Sequence, residues 1–280
     1  MDILEHIKSL YPTFTRKQRS IADYLISNPE DICYVTLAQL SQQVGASELT
    51  LLRFCEKIGC SSFLELKDKF RDYTQHMIKL LSAPTYFLPE QTVANDADKE
   101  SLLRDICIQE SVTVTDFFAA VNLADIMTAA SLIQKSQRIF IFAHDISKTL
   151  GEFLSARLQL LNFHAVLIDL DDLAQTQQFL QQLTKEDLAI FFSFPKYYYP
   201  IGSIAKKAIE KAGSLLAITD NVTSPVAQCC SHLLLCQTST RMFYNSLTVP
   251  MALLNLLASC LVIDMVPASE REEFIDTLPS

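Results

Sequence analysis

The stretch LAIFFSF, residues 188–194, runs straight into PKYYYP, residues 195–200, and its reading decides the fold of the larger part of this 280-residue chain. Seven residues with no alternating polar positions predict a strand buried on both faces rather than one side of a solvated sheet. Four other runs share the pattern: RIFIFA (138–143), AVLID (165–169), SLLAIT (214–219) and HLLLC (232–236). Helical stretches separate them at 148–161, 173–183, 199–212 and 224–230. Helices at 99–120 and 122–135 precede the first strand, and one at 245–264 closes the series. Strands alternating with helices predict an α/β doubly wound parallel five-stranded sheet.

In such a sheet the ligand crevice lies beyond the carboxyl ends of the strands. Three loops fall there: AHDIS (143–147), SFPKYYYP (193–200) and TDNVTSP (219–225). Pro195 stiffens the second loop and removes a donor, while Lys196 brings a mobile point charge suited to an anion. Tyr197 and its two tyrosine neighbours offer flat faces and hydroxyls. The loop is expected to touch a small anionic or polyol effector. The plainer readings are a solvated lysine, packed tyrosines and, at His144-Asp145, a hydrogen-bonded turn. That pair is the titratable pair of these loops, and the stretch 250–263 holds neither carboxylate nor histidine. Aldose–ketose chemistry needs a base and a proton path, so a binding module is expected instead, with no catalytic residue.

The first 80 residues read as all helix. Thr15 is placed to cap a helix that stops at Pro29. Thr36 caps a short helix ending at Gly45, Ser47 caps a second ending at Gly59, and SSFLELKDKFRDYTQHMIKLL gives a longer amphipathic one. Leu40, Val44, Ala46, Leu51 and Phe54, with small Ser41 and the turn at Gly45, fit a helix-turn-helix. Its second helix would present Ser47, Glu48, Leu49, Thr50, Arg53 and Lys57 to a DNA groove. Thr36, Arg16, Lys17 and Arg19, with Lys67, would anchor phosphates. A helical hairpin used only for dimerisation is the alternative on spacing alone. Residues 81–98, with two prolines and no sustained period, predict a linker between a 1–80 helical domain and a 99–280 domain.

Composition narrows the function. The net charge is −9, yet residues 1–76 hold nine Lys/Arg against ten Asp/Glu, so a basic face remains open to that half. With five glycines in the chain, and none clustered, a Walker-type loop or dinucleotide fingerprint is excluded. The eight cysteines form no C-x-x-C pair and predict buried thiols in a reducing compartment, with neither metal nor cofactor. TVPMALLNLLASCLVIDMV (248–266) carries Pro250, Asn255 and Asp264 and predicts a buried helix, not a membrane span. The N-terminus has no basic region before a long apolar run, so a cytoplasmic protein is expected.

KQRSIADYLISNPEDICYVTLAQLSQQVGASELTLLRFCEKIGCSSFLELK (17–67) resembles the N-terminal domain of the RpiR family of bacterial transcriptional regulators, and LLRFCEKIG followed by FLELK carries most of the resemblance. That family joins the domain to a sugar isomerase (SIS) domain, to which residues 120–265 are similar. The resemblance implies a double-stranded operator, a homodimer or homotetramer, repression of carbohydrate genes and a sugar phosphate or similar effector. It implies effector contacts from Ser147, Ser193, Lys196, Tyr197, Thr219 and Ser224, to which the position of the loops adds His144, Asp145 and Asp220 as the expected effector-binding set. Phosphosugar-binding SIS domains use glycines, serines and threonines in these loops. Here Ala143, Asp145 and the Phe-Pro-Lys-Tyr run depart from that pattern, although a branch of the family carries Phe-Pro-Arg-Tyr. Two alternatives stay open: an isomerase-like enzyme, and an SIS domain that serves only as an oligomerisation scaffold.

Overall fold

Short polar side chains start the N-terminal helices by closing their first turns. Asp2 caps α1 (Ile3–Leu10). Thr15 and Gln18 form a reciprocal capping box on α2 (Arg16–Ser27), and Thr36 and Gln39 do the same for α3 (Leu37–Val44). Gly45, at φ 61°, ends α3 in the left-handed region and turns the chain into α4 (Glu48–Lys57), capped by Ser47. The amphipathic α5 (Phe63–Leu81) follows, burying Leu66 and Phe70. The computed structural model describes residues 2–81, 96–238, 246–271 and 273. The expected linker, 81–98, therefore lies outside the described residues except at its ends, where α5 and α6 (Asp96–Ala120) reach into it.

Beyond α6 come α7 (Leu123–Lys135), β1 (Arg138–Ala143), α8 (Ser147–Leu160), β2 (Ala165–Asp169), α9 (Leu173–Gln182), β3 (Asp187–Ser193), α10 (Ile201–Lys211), β4 (Ser214–Thr219), β5 (His232–Leu235) and α11 (Thr248–Met265). The sheet order is β2-β1-β3-β4-β5, and β1, β3, β4 and β5 pair in parallel. Every residue of β3 is buried, as its unbroken apolar run requires. One expectation fails: 224–230 is not a helix but a series of turns, closed by Ala227 N–H to Ser224 O and Cys229 N–H to Val226 O. The segment is too short to offset helix nucleation, and its backbone closes in separate turns instead.

Contacts sort the chain into two compact units. One gathers α1–α5 with Ile168–Leu183 and Tyr198–Lys211, hence with α9 and α10; Leu40, Leu51, Phe54, Ile58 and Phe70 are fully buried within it. The other holds α6–α8, β1, β3–β5 and α11 around a core of Ile141, Leu154, Ile190, Leu216 and Leu257. The Arg138 guanidinium grips Asp187 through two hydrogen bonds of 2.9 and 2.7 Å, and these two residues face each other in the β1–β3 register. Asp187 also accepts from the N–H and hydroxyl of Thr184. The pair fixes where the strands start, and thus where their carboxyl ends fall. α11 is the one described helix long and apolar enough to cross a membrane by length and composition, and Leu253, Leu254, Leu257 and Leu261 bury its inner face in the sheet core.

Candidate functional site

The exposed face of α4 is built by exclusion. Leu51, Phe54 and Cys55 point into the core, which leaves Glu48, Leu49, Leu52, Arg53, Glu56 and Lys57 facing outward. Ser47 Oγ lies 2.8 Å from Thr50 Oγ1 and accepts from the Thr50 N–H, so both hydroxyls are engaged in starting the helix. Thr36 is likewise occupied: its hydroxyl donates to Gln39 Oε1 at 3.1 Å and accepts from the Gln39 N–H. The basic residues of α2 are exposed but not all idle. Lys17 donates to the Gly45 carbonyl at 3.2 Å, tying α2 to the turn, and Arg19 stacks over the Tyr11 ring at 5.6 Å. Arg16 is exposed.

Lys67 is a correction. Expected as a phosphate anchor, it is buried and donates to the Val35 carbonyl at 3.0 Å and to Gln177 Oε1. Burial, reinforced by the neighbouring Arg71 charge, pulls its ammonium down to about 8. A side chain held this way cannot reach a phosphate outside the unit. No periodicity distinguishes it from Lys69 on the same helix, because its burial comes from α9, far along the chain.

At the strand ends the register places β1, β3 and β4 side by side, with Ser193 opposite Thr219. The three expected loops thus leave adjacent strands of one unit. Ser193 and Ser224 are buried, and among the described residues the oxygens of both side chains have no hydrogen-bond partner. Ser147, buried, begins α8, beside the half-buried His144 and exposed Asp145. Asp145 (φ 52°) and Lys196 (φ 64°) take left-handed backbone conformations without being glycine. The loops therefore keep a glycine-type backbone while adding a carboxylate and an ammonium to it.

Two other expected contacts are already engaged. Thr219 is fully buried and donates to the Ser193 carbonyl at 2.6 Å, locking β4 to β3. Asp220 accepts from the Tyr197 hydroxyl at 2.8 Å and from Asn221 Nδ2 at 2.7 Å, while Asn221 also donates to the Tyr197 oxygen at 2.9 Å. Burial, then the Asp220 carboxylate, raises the Tyr197 phenol above its ordinary value. Asn221 closes this triad, yet in the sequence it is one polar residue among several in a turn.

The next two tyrosines face elsewhere, within the unit of the N-terminal helices. Tyr198 is buried and donates to the Leu170 carbonyl at 2.7 Å. Tyr199 donates to Glu30 at 3.2 Å, and Ser203 donates to the same carboxylate at 2.7 Å. Glu30 gave no sequence signal, since an acid beside a proline reads as a solvated turn. A cavity of about 270 Å³, lined by Tyr34, Gln39, Gln43, Leu180, Lys207 and Glu210, belongs to this unit and not to the strand-end loops.

Comparison with known proteins bears on both halves. Residues 1–76 match the helix-turn-helix domain of the rpiR family, and residues 132–260 match the SIS domain. The chain is 25% identical to the HTH-type transcriptional regulator HexR of Pseudomonas aeruginosa over 230 residues, 81% of this chain and 76% of the relative. Among solved structures it superposes on the sugar isomerase domain of an RpiR transcription factor from Sphaerobacter thermophilus (TM-score 0.55, 20% identity), covering 63% of this chain and 99% of the other. The Vibrio vulnificus NanR protein, solved in complex with ManNAc-6P, matches over 98% of this chain and 96% of its own (TM-score 0.51, 15% identity). The chain thus joins a helix-turn-helix domain of the rpiR family to an SIS domain, and over most of its length it is similar to HTH-type transcriptional regulators.

Proposed function

We propose that the chain is a cytoplasmic repressor of carbohydrate-metabolism genes, with a DNA-binding domain at 1–80, a linker at 81–98 and an effector-binding, self-associating domain at 99–280. Its α4 enters the major groove of a pseudo-palindromic operator, and its strand-end loops take a sugar phosphate or similar small anion. The observation that carries the effector site is the pair of buried hydroxyls, Ser193 and Ser224, whose oxygens have no partner among the described residues. A buried polar group left unsatisfied costs roughly 1–3 kcal/mol. A ligand with oxygen acceptors removes that cost twice, and Lys196 supplies the counter-charge. The ManNAc-6P held by the NanR protein has the same combination of hydroxyls and a phosphate. Exposed Leu102, Leu103, Ile108, Val112 and Phe118 on α6 support self-association, since such apolar surface is rarely left to water.

The domain senses rather than converts its ligand. Asp220 is committed to Tyr197 and Asn221, and Asp145 is exposed at the tip of its turn. Calorimetric titration of the full chain with inorganic phosphate and a panel of sugar phosphates tests this. One compound should bind, Ser224→Ala should weaken it at least about tenfold, and the melting temperature of the free variant should not fall. Conversion of the bound sugar would make the domain an isomerase. Failure of every compound at millimolar concentration would reduce it to an oligomerisation scaffold.

A further inference from the structure

On α4 the groups most suited to hydrogen bonding are spent before DNA arrives, because Ser47 and Thr50 engage each other and the first turn. At about 100° per residue, the six outward residues span half the helix, in the order Glu48, Leu52, Glu56, Leu49, Arg53, Lys57. The face is divided. One edge is acidic and repels phosphates; the other carries Arg53 and Lys57; Leu49 stands between them, 57% exposed. Among the described residues neither Arg53 nor Lys57 takes part in an ion pair.

Leu49 lies in the first turn of α4, the part of a recognition helix that reaches base edges. Arg53, four residues on, leans back toward it because helical side chains tilt toward the N-terminus. An arginine reads the O6 and N7 of guanine, and an aliphatic side chain beside it finds one apolar feature in the major groove, the C5 methyl of thymine. We infer that Leu49 is a specificity-determining residue that packs on a thymine methyl next to the guanine contacted by Arg53, so that each operator half-site carries a thymine beside a guanine. This rests on α4 being the DNA-reading helix.

The test selects duplexes bound by the full chain from a random pool, then replaces each thymine of the selected sequence by deoxyuridine, which removes only the methyl group. One thymine per half-site, adjacent to a guanine, should weaken binding about three- to fivefold when replaced, the equivalent of one buried methyl. Leu49→Ala should lose the same factor on the thymine duplex and be indifferent to the replacement, whereas Leu52→Ala should still respond to it. If no deoxyuridine position matters to the wild type, or Leu49→Ala remains as sensitive, the inference is overturned. A Leu49→Ala chain that dissociates by light scattering would reassign Leu49 to a contact with a second copy. Failure to enrich any sequence would overturn the assignment of α4 itself.

Discussion

Gly45 and Gly213 sit at sharp junctions in the two halves of the chain, for unrelated reasons. Gly45 turns α3 into α4 at φ 61°, with nothing within 4 Å of where a Cβ would stand. On Gly213, ahead of β4, a Cβ would collide with the carbonyl oxygen of Lys185, and the Gly213 N–H donates to Asp187 at 3.0 Å. The first glycine answers to its own torsion angle and the second to a backbone distant in sequence. The helix-turn-helix is specified by neighbouring residues, while the sheet depends on segments that meet only after folding. Substitution should separate the two. Gly213→Ala should cost about 3 kcal/mol, since overpacking against backbone has no flexible neighbour to give way. Gly45→Ala should cost about 1–2 kcal/mol, the penalty of a left-handed alanine. Urea midpoints of the two variants measure both costs. If Gly45→Ala proves the more damaging, the contrast collapses.

The same division explains what could be read in advance. Thr15, Thr36 and Ser47 cap helices whose signals lie within four residues, so the N-terminal helices and their turn are legible. The strands are legible because burial on both faces leaves an unbroken apolar run. The turns of 224–230 resemble a helix in sequence because apolar Val226 and Ala227 are buried there without a helical backbone. The candidate loops were legible as positions and not as assignments. Ser193 and Thr219 face each other across two strands, yet one hydroxyl is unpartnered and the other is locked to a carbonyl. No local pattern separates them, because the difference depends on which carbonyl each hydroxyl reaches once the strands are paired.

Lys67 offers an intermediate test, being a residue of the locally specified half whose state is set from afar. Its ammonium is held near 8, against 10.5 in an unfolded chain. Below about pH 8 both states are charged, and the fold bears the full cost of burying that charge. Between about 8 and 10.5 the unfolded chain still holds the proton that the fold has released, so stability from this group rises with pH. Lys67→Met, which keeps the length without the charge, should therefore match or exceed the wild type at pH 7. It should lose ground by about 2–3 kcal/mol toward pH 10. Its affinity for selected DNA should not change. A parallel pH dependence of the two proteins would mean the ammonium reaches water, restoring Lys67 as a phosphate anchor.

The smallest effect asked of the comparison concerns Lys196, which combines a glycine-type conformation with a non-glycine side chain. Its φ of 64° is unfavourable for a lysine by about 1 kcal/mol, a cost that persists only where something else requires the residue. Two substitutions part the backbone from the charge. Lys196→Gly should raise stability by up to about 1 kcal/mol by removing the strain, whereas Lys196→Gln keeps the strain and should show no such gain. Both remove the ammonium, so both should weaken an anionic effector by about 1–3 kcal/mol. A gain in stability joined to a loss in binding is what a residue retained for its ligand produces. Should Lys196→Gly unfold earlier in urea, the lysine's own contacts would outweigh the torsional cost. The loop after β3 would then be held together by packing, as the helix-turn-helix is by its caps, and would need no ligand to account for it.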